Sequence, residues 1–385
     1  MLHLPPLTLY VHVPWCVRKC PYCDFNSHEP QGGDIPEAEY LIALERDLAS
    51  DLPRVQGRKL SAVFFGGGTP SLLSPATIAA ILKNAERAIG FEPDIEITLE
   101  ANPGTFEQDR FRGFRSAGVN RLSIGIQSFD NRHLQRLGRI HDRAAAVTAA
   151  ASARAAGFDN FNLDLMHGLP EQTPAQALAD LTTALALDPT HLSWYQLTIE
   201  PNTAFYKRPP VLPGEDILAD IQDTGAAALD RAGFEQYEIS AYARPGNSSR
   251  HNLNYWQFGD YLGIGPGAHG KITYPHTGDI IRTRKTRTPA DYLARSDGGL
   301  AAEHPVPTNE RPLEFFMNAL RLKAGVERSL FLRRTGLDEK LIADCWQRLA
   351  DRGLVDRDPQ RLVTTDQGFR FLNQVLAVIA NEVIL

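Results

Sequence analysis

Apolar residues recur along the chain with two periods, and the two take turns. Leu7 to Val13 (LTLYVHV) alternates and is rich in β-branched and aromatic residues, which predicts a strand. Tyr40, Leu41, Leu44 and Leu48 then repeat at helical spacing. Ser61 to Phe65 predicts a short buried strand that ends in Gly66-Gly67-Gly68. Ser74-Pro75 reads as an N-cap with proline at the first helical position, and Ile78, Ile81, Leu82, Ala85 and Ile89 form the apolar face of that helix. Ile95 to Glu100 is a third strand. Thr105 with Gln108 has the form of a capping box, and Gly118 suits the end of the helix between them. Arg121 to Ile126, Phe161 to Met166 and His191 to Ile199 predict three more strands. An alanine-rich helix from about Arg143 to Gly157 and another opening at Thr173-Pro174 separate them.

Repeated strand-then-helix order implies an α/β fold with a parallel sheet. Six units predict a partial (β/α)6 TIM-like barrel, with an open Rossmann-like sheet as the alternative. In either arrangement chemistry sits at the C-terminal ends of the strands, and the unusual residues fall there. The cysteines follow the first strand and the glycines the second; Glu100 ends the third and Gln127 follows the fourth. Beyond residue 242 the texture changes. Arg244 to Arg250 is polar and loop-like, Gly259 to Gly270 is glycine-dense, and from Glu310 the pattern is helix, β-wing, helix. The expected organisation is a core domain over 1–242, a connecting region over 243–309 and a mostly helical, winged-helix-like C-terminal domain over 310–385.

Composition changes this picture little. Length allows about two domains, and 43% hydrophobic with 22% charged residues is ordinary for a globular chain. A net charge of -6 argues against a surface built for phosphate backbones, and the winged-helix-like segment carries Asp338, Glu339, Asp344 and Asp351, so no nucleic acid partner is expected. No apolar run is long enough to span a membrane and the first residues lack a signal-peptide pattern, so a cytoplasmic location is expected. Peripheral membrane contact and a homodimer remain compatible with the sequence.

The cysteines do change it. Cys16, Cys20 and Cys23 lie within eight residues, and Cys345, beside Ala343 and Trp346, reads as a buried structural thiol. Three thiolates on one short loop can converge on a cubane and leave one iron open. A closed zinc site is the competing reading, with His12 or His28 as its fourth ligand.

The string CVRKCPYC resembles the CxxxCxxC signature of the radical S-adenosylmethionine (SAM) superfamily. Its surroundings, LYVHVPWCVRKCPYCDFNSH, with FFGGGTPSLL, LEANPG, RLSIGIQSF, RLGRIH, NLDLMHGLP, SWYQLTIEP and HNLNYW, are similar to relatives of oxygen-independent coproporphyrinogen III oxidase along essentially the whole chain. The resemblance implies a 4Fe-4S cluster on Cys16, Cys20 and Cys23. It also implies an S-adenosyl-L-methionine site. There Gly67, Gly68 and Thr69 line the methionine amino group, Glu100, Gln127 and Asp164 surround ribose and methionine, and Arg139 pairs with the carboxylate; Tyr10 and Tyr22 stand near the nucleotide. A core aromatic is an equally good reading of Tyr10, and a helix-capping or salt-bridged carboxylate is the lesser alternative for Glu100.

Two departures separate the chain from the dehydrogenases of this family. Phe25 stands where they carry a further cysteine, and nine residues precede Tyr10 where they have a long segment. Both match the haem-chaperone branch. That branch implies haem as ligand, His251 of the HNLNYW motif as its axial ligand, Tyr255 and Trp256 beside the macrocycle, and respiratory haemoproteins as recipients. The alternative is oxidative decarboxylation of coproporphyrinogen III.

Overall fold

The computed structural model describes residues 1–30, 33–104 and 109–383. Six strands form in the expected order: β1 (Leu7–Val13), β2 (Leu60–Gly67), β3 (Phe91–Ala101), β4 (Arg121–Gln127), β5 (Phe161–His167) and β6 (His191–Gln196). Each pairs in parallel with the next. This sequential order is that of a barrel wall and excludes the Rossmann alternative, whose strand order reverses at its middle. β7 (Glu235–Glu238) and β8 (Ala241–Ala243) add antiparallel strands beyond β6. The glycine-dense stretch is not loop. It supplies β9 (Asp260–Ile264), parallel to β1, and then β10 (His269–Tyr274), β11 (Asp279–Lys285) and β12 (Leu300–Pro305) as an antiparallel extension. The resulting sheet runs from β12 to β7 without closing, an incomplete barrel.

Alternation along the strands decides which face does what. Leu7, Leu9, Val11 and Val13, Ile97 and Leu99, Leu122 and Ile124, and Leu163 and Leu165 pack under the helices in one continuous core. The intervening residues (Tyr10, Glu96, Glu100, Ser123, Asp164 and Ser193 among them) face the concave side, which is why polar residues interrupt otherwise apolar strands. Helix caps follow the sequence reading. Ser74 accepts from Thr77 N, Thr173 and Gln176 form a capping box, and Gly118 closes Phe111–Ala117 in the left-handed region. The capping box expected at Thr105 and Gln108 lies outside the described residues.

A short helix, Arg250–Trp256, lies across the concave face. Glu96 of β3, itself buried, accepts from Ser249 Oγ, Arg250 N and His251 N and so ends that helix. The C-terminal helices Arg311–Ala319, Ser329–Thr335, Lys340–Asp351 and Leu372–Glu382 form a second core around Phe315, Phe316, Phe331 and Trp346. The small sheet of β13 (Val326–Glu327) and β14 (Arg361–Leu362) gives the winged-helix-like arrangement. Cys345 is buried in this core, as expected. Arg321 links the two layers: it pairs with Glu238 and stacks over Trp256. Among the described residues no helix is long and apolar enough to cross a membrane.

Candidate functional site

Cys16, Cys20 and Cys23 sit on a loop pinned at its base. Cys16 N donates to His28 O and His28 N to Pro14 O, while Gly68 N and Thr69 N donate to Val13 O and Trp15 O. The last two bonds lay the glycine turn against the loop. Only glycine fits there: Gly67 has φ +109° and a Cβ would stand 2.5 Å from the His12 ring, while a Cβ on Gly68 would stand 2.5 Å from Trp15 O.

All three cysteines line a cavity of about 430 Å³ at the C-terminal ends of the strands. Tyr22, Gly67, Gly68, Thr69, Glu100, Gln127, Arg139 and Asp164 line the same cavity. A hydrogen-bonded chain runs around it. Thr69 Oγ1 lies 3.5 Å from Cys16 Sγ, Asn102 Nδ2 donates to Thr69 Oγ1 at 2.9 Å, and Arg139 Nη2 donates to Asn102 Oδ1 at 2.6 Å. Arg139 Nη2 also donates to Gly125 O, and Nη1 lies 3.6 Å from Cys20 Sγ. Gln127 holds φ 71° where β4 shifts register against β5, and accepts from Tyr195 Oη at 2.7 Å. A left-handed non-glycine residue at a bulge re-aims a side chain into a site. Asp164 accepts from Ser123 Oγ and Asn162 Nδ2. Burial, then the neighbouring Asp164 carboxyl, pushes Glu100 up to about 8, and burial raises Asp164 as well.

The donor set fits a cluster. Burial pushes the Cys16 and Cys23 thiols up, so holding them as thiolates would take a cationic centre. Among the described residues no three His, Cys, Asp or Glu side chains converge as the shell of a single metal ion. A cubane takes its thiolates on separate irons, so its ligands stand further apart than the four of a closed zinc site.

Two expected residues lie elsewhere. Tyr10 faces a second cavity of about 630 Å³ on the other side of Gly67 and Glu100, and its hydroxyl bonds His12 Nδ1 at 3.0 Å. His251 lines neither cavity. The residue is 2% exposed, and its ring stacks on Phe64 at 4.8 Å and meets Tyr255 edge-on at 4.8 Å; Nδ1 has no hydrogen-bond partner among the described residues. Burial, then Arg121, lowers its pKa to about 3. Its neighbours Asn252 and Tyr255 do reach the first and second cavity respectively. Sequence reasoning missed Asn102, Tyr195 and the whole second cavity. A polar residue at the end of a strand, the signal that singled out Glu100, also marks Asn102.

Residues 10–183 match the Radical SAM superfamily, and residues 306–371 match the HemN C-terminal domain. The chain is 52% identical over 386 residues to the heme chaperone HemW of Haemophilus influenzae, covering 99% of this chain and 100% of that one. It is 49% identical over 382 residues to the heme chaperone HemW of Escherichia coli, again covering 99% and 100%. Bovine radical S-adenosyl methionine domain-containing protein 1, mitochondrial, is 42% identical over 285 residues, 73% of this chain and 64% of that one. Among solved structures, the radical SAM enzyme coproporphyrinogen III oxidase (HemN) of Escherichia coli superposes with a TM-score of 0.81 at 26% identity, covering 98% of this chain and 90% of that one. Identity of this extent over the full length of both chains places the protein: it belongs to the HemW family of the radical SAM superfamily.

Proposed function

We propose that the protein is a haem chaperone. It holds a 4Fe-4S cluster on Cys16, Cys20 and Cys23, binds S-adenosyl-L-methionine beside it, and passes haem to respiratory haemoproteins. The observation that carries the cofactor reading is the single cavity joining the three thiols to Glu100, Gln127, Arg139 and Asp164. The haem reading takes its support from relatives named heme chaperone at up to 52% identity, and from Phe25 at the position of the dehydrogenases' further cysteine.

Each residue has a task that its surroundings suit. Arg139, fixed by Asn102 and Gly125, presents a rigid guanidinium to the carboxylate of the methionine moiety. The glycine turn lets backbone groups approach the amino end. Glu100, held toward the neutral acid chiefly by burial, can donate as well as accept, and Asp164, fixed by Ser123 and Asn162, can accept, which together suit a ribose diol. Tyr195 holds the Gln127 amide in place. Cys16, Cys20 and Cys23 would hold the cluster, which when reduced would supply the one electron for cleaving the sulfonium S–C5' bond of S-adenosylmethionine, with methionine as the leaving group.

Anaerobic reconstitution and titration with haem test the proposal. We expect about four irons and four sulfides per chain, lost in Cys16→Ala, Cys20→Ala and Cys23→Ala, and a Soret band that saturates with haem. One zinc without labile sulfide would remove the cluster. Absence of a Soret band would remove the chaperone function, and formation of protoporphyrinogen IX from coproporphyrinogen III would replace it with the dehydrogenase reaction.

A further inference from the structure

Asn102, the residue after β3, is the middle of the hydrogen-bonded chain around the first cavity, and its neighbours leave its amide one orientation. A guanidinium can only donate. Arg139 Nη2 lies 2.6 Å from Asn102, so the atom that meets it is the carbonyl oxygen Oδ1. This turns Nδ2, itself only a donor, toward Thr69 Oγ1 at 2.9 Å. Having accepted there, the Thr69 hydroxyl keeps its own proton for Cys16 Sγ, 3.5 Å away. A cation at one end thus sets the direction of every bond in the run.

The fold holds this run in place. Arg139 Nη2 is anchored a second time, on Gly125 O at 2.7 Å. A Cβ on Gly125 would stand 3.3 Å from Asn102 Oδ1 and 3.5 Å from Arg139 Nη2, so a side chain there would crowd the bond between them. Thr69 N donates to Trp15 O at 2.7 Å, which fixes the hydroxyl beside the cysteine loop. At the far end Arg139 Nη1 lies 3.6 Å from Cys20 Sγ. The run therefore starts and finishes on thiols of the same loop. A thiolate that ligates iron is an acceptor, and donors aimed at its sulfur stabilise the more negative, reduced state of a cluster.

We infer that Asn102 is a positioning residue: held by Arg139, it directs the Thr69 proton onto Cys16 Sγ and so raises the potential at which the site takes up an electron. The inference rests on the cluster reading above and adds to it how this chain tunes that cluster.

The test is an anaerobic potentiometric titration of the reconstituted full-length protein, with dithionite as electron donor and electron paramagnetic resonance reporting the one-electron reduced state. Thr69→Val keeps the shape and removes the hydroxyl; reduction becomes about tenfold less favourable, a potential about 59 mV lower. Asn102→Asp keeps the bond to Arg139 but sets an acceptor against Thr69, so the hydroxyl turns away from Cys16 and the potential falls at least as far. The added charge by itself also lowers a potential, and the double variant separates the two causes. If Asn102 acts through Thr69, Thr69→Val has no further effect in the Asn102→Asp background; if charge alone acts, the two shifts add. Additive shifts, or a wild-type potential in Thr69→Val, overturn the inference while the cluster stands. Should Asn102→Asp fail to take up iron, the uncharged Asn102→Leu replaces it: a lowered potential supports the inference and a wild-type potential overturns it. If the wild-type chain holds no iron–sulfur cluster, the cofactor reading falls and the inference falls with it.

Discussion

Removing the Glu96 carboxylate tests how the concave face is built. Glu96 is 7% exposed and accepts from Ser249 Oγ at 3.2 Å, Arg250 N at 3.0 Å and His251 N at 3.1 Å. These are the first backbone donors of the Arg250–Trp256 helix, which have no partner within the helix itself. Glu96→Ala leaves both N–H groups without their acceptor at a buried helix end. Each unsatisfied group costs about 1–3 kcal/mol, and loss of a carboxylate at a helix N-terminus adds about 0.3–1 kcal/mol. Water admitted to the space left by the side chain offsets part of this, so the expected net loss is about 3 kcal/mol. Glu96→Gln keeps one carbonyl acceptor and should lose about 1–2 kcal/mol. The assay is hydrogen exchange of the peptide spanning 249–256 in the full-length protein, with urea unfolding as the global measure. Faster exchange confined to that peptide, graded Ala above Gln above wild type, is the expected result. Unchanged exchange with a stability loss under about 1 kcal/mol would refute the claim that β3 holds this helix in place.

Other expectations follow from the same geometry. Lys271→Met removes a lysine that is 1% exposed and bound to Asp260, Phe258 O and Gly259 O. It should cost about 3–5 kcal/mol in a denaturant titration, and pairing it with Asp260→Asn should recover part of that. Gly67→Ala forces a Cβ against the His12 ring at a φ that L residues avoid. A loss of about 2 kcal/mol or more, with reduced iron uptake on reconstitution, is expected; normal iron content would argue against the turn's role. Glu100 has a folded-state pKa raised to about 8, chiefly by burial and then by Asp164. Its contribution to stability is therefore fully present below its unfolded pKa and is lost as pH rises through about 8. Glu100→Gln should flatten the stability-against-pH curve between those limits by at most about 5 kcal/mol, and an identical slope in variant and wild type would contradict the burial.

Particular residues show how far local pattern carries. The six parallel strands were legible because each combines an apolar run with a following turn or cap, as in Ser61–Phe65 before the glycines. The cysteine loop, the glycine turn, Glu100, Gln127, Arg139 and Asp164 were legible as strand-end residues or motif members, and the fold brings all of them to one cavity. β9 to β12 were not legible. Asp260–Ile264 contains Gly263, whose Cβ would stand 1.9 Å from His269 O, so close packing of neighbouring strands required the very residue that reads as loop. Asn102 and Tyr195 were missed because their partners, Arg139 and Gln127, lie 37 and 68 residues away.

The sequence by itself determined the order and type of the core elements, the placement of reactive groups at strand ends and the family. These depend on neighbours a few residues apart, on period-two alternation and on spacing within a loop. Only the tertiary structure decided which faces meet. It buried the His251 imidazole between Phe64 and Tyr255 and drew a second cavity between β1, β10 and β11. It also placed the exposed side chains of His269, Arg284 and Arg287 along that cavity's wall. Burial and pairing are set by chain segments that lie more than two hundred residues apart in sequence, as Tyr10 and His269 do in that cavity, and no local pattern encodes the distance between them.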